Sequence, residues 1–259
     1  MIGILDSKLS GLILAKEIID KFSEYQILYF TDTARGPLGN KGKDTIKKCT
    51  KEGIDFLINK GAQLIIVADQ CMATVAQEIW SQNNKIPVIG LVDWLIDSAI
   101  KSSQNKRIGL IAPRAVIDSG FIPQAINQID KRIKVLSKAT PLLWPLIQED
   151  WTKRIVTKKI LKAYLYELHC QQIDTLILGD LAYCQLQSII QRKIGKQVKI
   201  ISLIDITPSY FHKFLEDNLK IKENLSQGSL HQFFISDINI QAQVLVRRWF
   251  GSKIQLKEI

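Results

Sequence analysis

The segment Leu64-Ile65-Ile66-Val67-Ala68-Asp69 decides the fold, because a continuous aliphatic run that ends on a polar residue is typical of a buried parallel strand. A second run of this kind, Thr175-Leu176-Ile177-Leu178-Gly179-Asp180, lies in the other half of the chain. A helix-like segment follows each run. Open α/β sheets bind ligands in the loops at the carboxyl ends of such strands. We therefore expect Asp69 and Asp180 to occupy positions that matter for function.

Strand-like runs recur in the same order in the two halves of the chain. The paired runs begin at Ile2 and Ile108, Ile27 and Ile133, Leu64 and Thr175, and Val88 and Ile200. The offset within each pair lies between 106 and 112 residues, and helical patterns such as 44–60 and 154–171 separate the runs. This alternation predicts an α/β fold of two similar lobes, with parallel sheets covered by helices and a pseudo-twofold axis at a cleft. The alternative explanation of this recurrence is a generic repetition of strands and helices, without duplication.

The predicted first lobe comprises residues 1–96 and 208–259, and the predicted second lobe comprises residues 97–207. The tail carries a helix pattern over 208–219, a strand candidate over 232–236 and a closing helix that runs through 247–251. We expect this tail to return and pack on the first lobe.

Composition and charge limit the classes of binding partner and the compartment that we expect. The net charge is +10 and the pI is about 9.4, but the basic residues are dispersed and no recognition motif accompanies them, so a nucleic-acid groove is not expected. No apolar run approaches the roughly 20 residues that span a membrane. The first residues lack the basic start and cleavage site of a signal peptide, so we expect a cytoplasmic protein.

Cysteine and histidine are too scattered to form a structural centre. The four cysteines include no CxxC pair, and the three histidines lack the spacing of zinc ligands. We predict neither a disulfide framework nor a metal site.

Two motifs carry a resemblance to a known family. Ile4-Leu5-Asp6-Ser7, followed by Ser10-Gly11-Leu12, is similar to an opening Asp-Ser-Gly-x-Gly-Gly-Leu motif. Thr31-Asp32-Thr33-Ala34-Arg35-Gly36-Pro37-Leu38-Gly39 resembles a loop usually written Gly-Asp-Thr-Ala-Arg-x-Pro-Tyr-Gly. On these residues the chain resembles glutamate racemase, of the cofactor-independent aspartate/glutamate racemase superfamily, over nearly its whole length.

The resemblance implies a mechanism without a cofactor. In that family two cysteines face each other across the substrate α-carbon, and one thiolate removes the proton while the other thiol returns it from the opposite face. The reaction supplies D-glutamate for peptidoglycan. An aspartate, a glutamate and a histidine assist, and backbone amides with small polar side chains hold the substrate carboxylates. The resemblance also implies a homodimer.

The chain departs from the family where the chemistry takes place. Ala68-Asp69-Gln70-Cys71 stands where the family has Ala-Cys-Asn-Thr, and Gly179-Asp180-Leu181-Ala182 stands where it has Gly-Cys-Thr-His. Gln148 occupies the glutamate position, Lys8 the first glycine of the opening motif and Leu38 the loop tyrosine.

The resemblance assigns two groups of site residues. The positions equivalent to catalytic residues are Asp69, Asp180 and Asp6. The substrate-binding positions are Ser7, Leu38, Gly39, Gln70, Cys71, Leu181 and Ala182. An aspartate at a strand-to-helix turn is also a common helix N-cap, so an acidic cleft and simple capping are both open. We interpret Cys71 and Cys184 as buried structural thiols, and rescue of catalysis by Cys71 would need a local shift.

Three functions are compatible with these residues. The first is a racemase-fold protein that has lost ordinary racemisation and binds a small molecule, such as an amino acid or an amine, or acts as a scaffold or regulator. The second is a working isomerase of altered substrate, with Asp69 and Asp180 as an acid-base pair. The third is a protein-interaction role, for which DNA gyrase is a partner by family analogy.

Overall fold

The aliphatic runs form parallel strands, which confirms the predicted α/β class. The computed structural model describes residues 1–81, 86–251 and 254–259. Every pairing between its named strands is parallel. The chain divides into two compact units, Met1–Leu91 with Thr207–Ile259, and Val92–Ile206.

The first unit is built on a six-stranded sheet of order β10-β9-β2-β1-β3-β4. Its strands are β1 (Ile2–Asp6), β2 (Ile27–Thr31), β3 (Leu64–Val67), β4 (Val88–Gly90), β9 (Gln232–Ile235) and β10 (Leu256–Glu258). Its helices are α1 (Gly11–Lys21), α2 (Lys43–Asn59), α3 (Gln70–Val75), α4 (Gln77–Ser81), α12 (Leu219–Asn224), α13 (Ile240–Phe250) and most of α11 (Leu203–Asp217), with a 3-10 helix at Leu38–Asn40. β1, β2 and β3 are buried along their whole length, which explains their uninterrupted apolar sequences.

The second unit is built on a four-stranded sheet of order β6-β5-β7-β8. Its strands are β5 (Arg107–Ala112), β6 (Lys134–Ala139), β7 (Thr175–Leu178) and β8 (Lys199–Ile201). Its helices are α5 (Val92–Ser102), α6 (Arg114–Ser119), α7 (Phe121–Ile129), α8 (Leu143–Gln148), α9 (Ile155–Cys170) and α10 (Gln187–Ile194), with a 3-10 helix at Leu181–Leu186. Leu161, Leu165 and Leu168 of α9 pack with Leu176 and Leu178 of β7 in its core.

Two apolar runs are shorter as strands than their sequences indicate. The run from Val88 is strand only to Gly90, and α5 begins at Val92. The run from Ile200 likewise ends as strand at Ile201, and α11 begins at Leu203 instead of at Pro208, which lies inside the helix. A buried helix start and a buried strand are equally apolar, so the run alone does not mark the change. No helix in the described part of the chain is both long and apolar enough to cross a membrane.

Candidate functional site

Adjacent strands place two of the expected aspartates at one sheet edge in the first unit. β1 and β3 are parallel neighbours, with Leu5 opposite Val67. Asp6 is the last residue of β1, and Asp69 follows β3 after one residue. Their carboxylates are therefore carried to the same edge, and both side chains are buried.

The carboxylate of Asp6 is enclosed by donors from the following turn. Its Oδ1 accepts from the Ser7 amide at 2.8 Å, and its Oδ2 accepts from the Ser10 hydroxyl at 3.1 Å and from the Gly11 amide. A Cβ on Gly11 would lie 2.8 Å from the Asp6 Cβ, so this approach of α1 to the strand end requires glycine. Asp6 thereby fixes the turn between β1 and α1.

Asp69 is the N-cap of α3. Its Oδ1 accepts from the amides of Cys71 at 2.6 Å and Met72 at 3.0 Å. Its Oδ2 accepts from the hydroxyl of Ser7. The capping explanation therefore holds for Asp69, and the carboxylate is also tied to the turn after β1.

Two side chains of the neighbouring strand β2 hold the segment after Asp6 in place by hydrogen bonds. The hydroxyls of Tyr29 and Thr31 both donate to the carbonyl oxygen of Lys8, at 2.9 and 2.7 Å. Burial, and then the charge of Asp6, raises the pKa of Tyr29 well above its ordinary value, so its hydroxyl keeps its proton as a donor. Lys8 itself is buried, with 6% of its surface exposed.

Gln70 presents an acceptor that the surrounding protein does not satisfy. The side chain is 2% exposed, and its Nε2 donates to the Ala68 carbonyl at 3.2 Å. Its Oε1 is buried and has no hydrogen-bond partner among the described residues. A buried acceptor in this state calls for a donor from a ligand or from water. We call Asp6, Ser7, Asp69 and Gln70 the strand-edge cluster.

The loop that carries Leu38 and Gly39 rests on the same turn. A Cβ on Gly36 would lie 1.9 Å from the carbonyl oxygen of Ser7, so only glycine allows the two backbones to approach this closely. Leu38 is buried in its 3-10 helix, which packs against α3. Gly39 is half-buried beside it. These two expected binding positions are thus held near the strand-edge cluster.

Salt bridges and hydrogen bonds stiffen the start of that loop. The guanidinium of Arg35 donates to Asp32 at 2.6 Å, and Asp32 also accepts from the Ser236 hydroxyl at 3.0 Å. Arg35 pairs with Glu52 of α2 as well. The Asp-Thr-Ala-Arg segment is therefore anchored to the residue that follows β9 and to α2.

In the second unit Asp180 also acts as a cap. It follows β7 and accepts from the Ala182 amide at 2.9 Å at the start of the 3-10 helix. Asp180, Leu181 and Ala182 are all buried. The apolar side chains of Leu181 and Ala182 offer a substrate no hydrogen bond.

The thiol near Asp180 is poorly suited to proton transfer. Burial, and then the charges of Asp180 and Asp205, raises the pKa of Cys184 to about 12, so its thiol is protonated at neutral pH. Cys71 is buried within α3. No group of three or more His, Cys, Asp or Glu side chains that could hold a metal ion occurs in the described part of the chain.

The structure brings the expected residues together within each unit. The first unit gathers Asp6, Ser7, Leu38, Gly39, Asp69, Gln70 and Cys71, and the second gathers Asp180, Leu181 and Ala182. Sequence reasoning missed the donor roles of Ser10 and Gly11 toward Asp6. Their signal is a serine and a glycine four and five positions after a strand-end aspartate.

Known proteins of one kind resemble the chain over its whole length. A glutamate racemase from Geobacter metallireducens is 31% identical over 253 residues, which cover 98% of this chain and 93% of the relative. The structure of a glutamate racemase isoform from Bacillus anthracis matches with a TM-score of 0.92 and 28% identity, covering 100% of this chain and 97% of the other. The glutamate racemase of Francisella tularensis, solved in complex with D-glutamate, matches with a TM-score of 0.89 and 25% identity, covering 100% and 96%. No family model matches the chain.

Proposed function

The chain belongs to the glutamate racemase family, and from this premise we propose that it binds a small amine at the strand-edge cluster and no longer interconverts L- and D-glutamate. The proposal concerns what replaces the family reaction when both cysteine positions carry aspartate. It rests on the contacts of Asp69 and on the unsatisfied acceptor of Gln70.

A carboxylate is a weak substitute for a thiolate in this reaction. Ordinary pKa values are about 3.9 for an aspartate side chain and about 8.5 for a cysteine. The difference of about 4.6 units corresponds to about 6 kcal/mol less driving force for removing a weakly acidic α-proton. A racemase also needs one partner deprotonated while the other is protonated, which two like groups do not readily provide.

The single observation that supports the proposal most strongly is that the carboxylate oxygens of Asp69 already accept hydrogen bonds from the protein. A carboxylate has about four acceptor positions. Asp69 already uses three of them, two for the amides of Cys71 and Met72 and one for the Ser7 hydroxyl. A general base would have to give up one of these bonds or take the proton at the position on Oδ2 that no described residue occupies.

Glutamate is also a poor electrostatic match for the strand-edge cluster. Asp6 and Asp69 are both buried there, and each occupies backbone amides that could otherwise neutralise an incoming carboxylate. Placing glutamate's carboxylates beside them would desolvate like charges together, which is costly.

An ammonium group is the better electrostatic match for the same cluster. It brings three donors and a positive charge, and the buried Oε1 of Gln70 lacks a donor among the described residues. A divalent cation is a weaker candidate, because no metal-binding group of acidic, His or Cys side chains occurs within the described ranges.

The buried side chain of Lys8 favours a second candidate function. In this alternative the strand-edge cluster contains its own cation, the ammonium group of Lys8. Lys8 directly follows Asp6 and Ser7, is buried, and stands where the family motif has glycine. A buried ammonium requires compensation by acidic or polar groups. If it supplies the positive charge, the protein acts as a scaffold or regulator with no external amine.

Calorimetric titration with 1,4-diaminobutane, L-lysine and L-glutamate separates these candidates. Under the amine proposal, wild-type protein binds at least one of the two amines and does not bind glutamate.

Asp69→Asn, which keeps an N-cap but loses the charge, should weaken amine binding about tenfold or more. Asp130→Asn, at a carboxylate of the second unit that pairs with the exposed Arg132, should leave it unchanged. Binding that emerges only in Lys8→Met identifies Lys8 as the resident cation, and no binding in either protein rejects the amine site.

Solvent-deuterium exchange at the α-carbon of glutamate tests the loss of racemisation. We expect no exchange above the uncatalysed rate with wild-type protein. Exchange that is abolished both by Asp69→Asn and by Asp180→Asn would instead establish the aspartate acid-base pair and overturn the proposal.

A further inference from the structure

The outer face of α9, in the second unit, carries basic residues and no acidic ones. Residues 151–166, which include the turn before α9, contain five lysines and arginines and no aspartate or glutamate. All five are exposed, and they are Lys153, Arg154, Lys158, Lys159 and Lys162. The segment therefore presents five positive charges to solvent.

These charges lack the counter-charges that other helices of the protein supply. Arg154, Lys158 and Lys162 follow one another at intervals of four residues, so like charges are neighbours along one side of α9, which destabilises a helix. On α1, α2 and α5, exposed lysines have an acidic partner at that spacing, as Lys16 has in Asp20. No ion pair between described residues includes any of the five basic side chains. An anionic partner would relieve this repulsion.

Large apolar side chains lie among the charges. Ile155 is 72% exposed and Tyr166 is 67% exposed, and they lie near the two ends of the face. Lys159 and Lys162 lie between them on the same stripe of the helix, at four and seven residues after Ile155. Trp151, in the turn before α9, is 47% exposed. A stripe of exposed apolar and basic side chains is typical of an interaction surface.

The second unit does not use this face for its own core. The opposite side of α9 is buried, and its Leu161, Leu165 and Leu168 pack in the core of the unit. The turn before the helix is fixed as well, because the carbonyl oxygen of Trp151 accepts a hydrogen bond from the Thr157 hydroxyl at 2.6 Å. The packing of α9 therefore holds its outer face toward solvent.

The side chains of the face favour a lipid surface as the partner. Lysine has a long apolar stem with a charged end, and tryptophan and tyrosine suit the boundary between lipid headgroups and acyl chains. Basic side chains together with tryptophan and aliphatic residues are typical of helices that lie on anionic membranes. A nucleic acid would engage the charges through its phosphates and leave the aliphatic side chain of Ile155 in water.

We propose that the outer face of α9 docks the protein on the surface of a bilayer that contains anionic phospholipid. Trp151, Ile155 and Tyr166 enter the headgroup region, and the basic side chains among them meet the lipid phosphates. Docking of this kind needs no helix that crosses the bilayer. It is also independent of amine binding, because the strand-edge cluster lies in the first unit.

Sedimentation of the full-length protein with lipid vesicles tests the docking. Vesicles of equal parts phosphatidylcholine and phosphatidylglycerol should bind the protein, and vesicles of phosphatidylcholine alone should not. Raising the salt concentration to about 0.5 M should release most of the bound protein, because salt screens charges at a membrane surface.

Two triple variants test the charges. Lys158→Gln/Lys159→Gln/Lys162→Gln should weaken binding to the anionic vesicles about 100-fold, at about fivefold for each charge. The matched control removes three exposed lysines of the first unit. This control, Lys41→Gln/Lys43→Gln/Lys48→Gln, should weaken binding by less than about fivefold, since distant charges are screened.

Two single variants test the apolar contact. Ile155→Ser should weaken binding to the anionic vesicles about fivefold, because it removes an aliphatic side chain that enters the headgroup region. Ile240→Ser, at an isoleucine of the first unit that is 80% exposed, should leave the binding unchanged.

Three results would overturn the proposal. One is the absence of sedimentation with the anionic vesicles at low salt, and binding to a DNA duplex in its place would assign the face to nucleic acid. Another is equal weakening by the two triple variants, which would indicate attraction by net charge alone. The third is full binding by Ile155→Ser, which would show that the apolar side chains stay outside the bilayer.

Discussion

The hydroxyl of Ser7 donates to Oδ2 of Asp69 across 62 positions of sequence, and joins the turn after β1 to the cap of α3. We predict that Ser7→Ala lowers the free energy of unfolding by about 1–2 kcal/mol, because a buried carboxylate loses a donor. Urea denaturation measures this. Ser81→Ala, at an exposed serine, should change stability by less than about 0.5 kcal/mol, and equal effects would contradict a special role for Ser7.

Gly36 provides a test of how closely the loop rests on Ser7. Gly36→Ala should destabilise the protein by about 3 kcal/mol, because the added Cβ would meet the Ser7 carbonyl oxygen at 1.9 Å. Gly42→Ala is the matched control, since its Cβ would meet no described atom within 4 Å and its φ of −70° suits alanine. Thermal and urea unfolding of the two variants should separate them clearly.

Restoring both cysteines should not by itself restore the family reaction. We expect Asp69→Cys/Asp180→Cys to exchange the α-proton of glutamate about 100-fold more slowly than the same variant with Ala182→His added, because a positioned acid or base contributes at least that factor. Proton NMR of glutamate in deuterated buffer gives the rates. Each single cysteine variant serves as a control and should not invert the configuration of glutamate, since inversion needs a partner on both faces of the α-carbon. A fast double variant would show that residue 182 is dispensable.

The thiols should differ sharply in reactivity. Cys170 is exposed at the end of α9, whereas burial raises the pKa of Cys184 to about 12. Iodoacetamide at pH 8 should therefore alkylate Cys170 and leave Cys184 as an unreacted thiol, as peptide mass spectrometry can show. Labelling of both in urea is the control for access. Rapid labelling of Cys184 in the folded protein would mean that a thiolate forms there.

His231 should make stability depend on pH. Burial lowers its pKa below the ordinary value of 6.5, so the unfolded chain binds a proton more readily than the folded one. The stability contribution is thus fully present above pH 6.5 and is lost as the pH falls through the folded pKa. Urea unfolding between pH 5 and 8 should show a smaller decline for His231→Gln, whose amide oxygen can still accept from the Ile27 amide, as the Nδ1 of His231 does. An identical decline in both proteins would assign the effect to other groups.

The central strands of the sheets could be predicted from sequence because they are buried along their whole length. No position needs to be polar in the strands Leu64–Val67 and Thr175–Leu178. Their apolar composition alone therefore identifies them as strands. β10 was missed for the opposite reason. Leu256–Glu258 is a three-residue edge strand with two exposed charged residues, and it resembles a loop.

The strand-end positions of Asp69 and Asp180 could be predicted from sequence, but the contacts of their side chains could not. The sequence could not decide between capping and an acidic cleft. That decision depends on where distant groups meet, such as Ser7 with Asp69 and Tyr29 with the Lys8 carbonyl. Neither contact follows from a local pattern.

The cap formed by Asp69 has a consequence for descent as well as for chemistry. Exchanging the aspartate for cysteine would release the amides of Cys71 and Met72 and deprive Ser7 of its acceptor, at a cost of about 1 kcal/mol or more. A substitution toward a thiol at this position therefore lowers stability whatever it does for catalysis, so selection for folding opposes it.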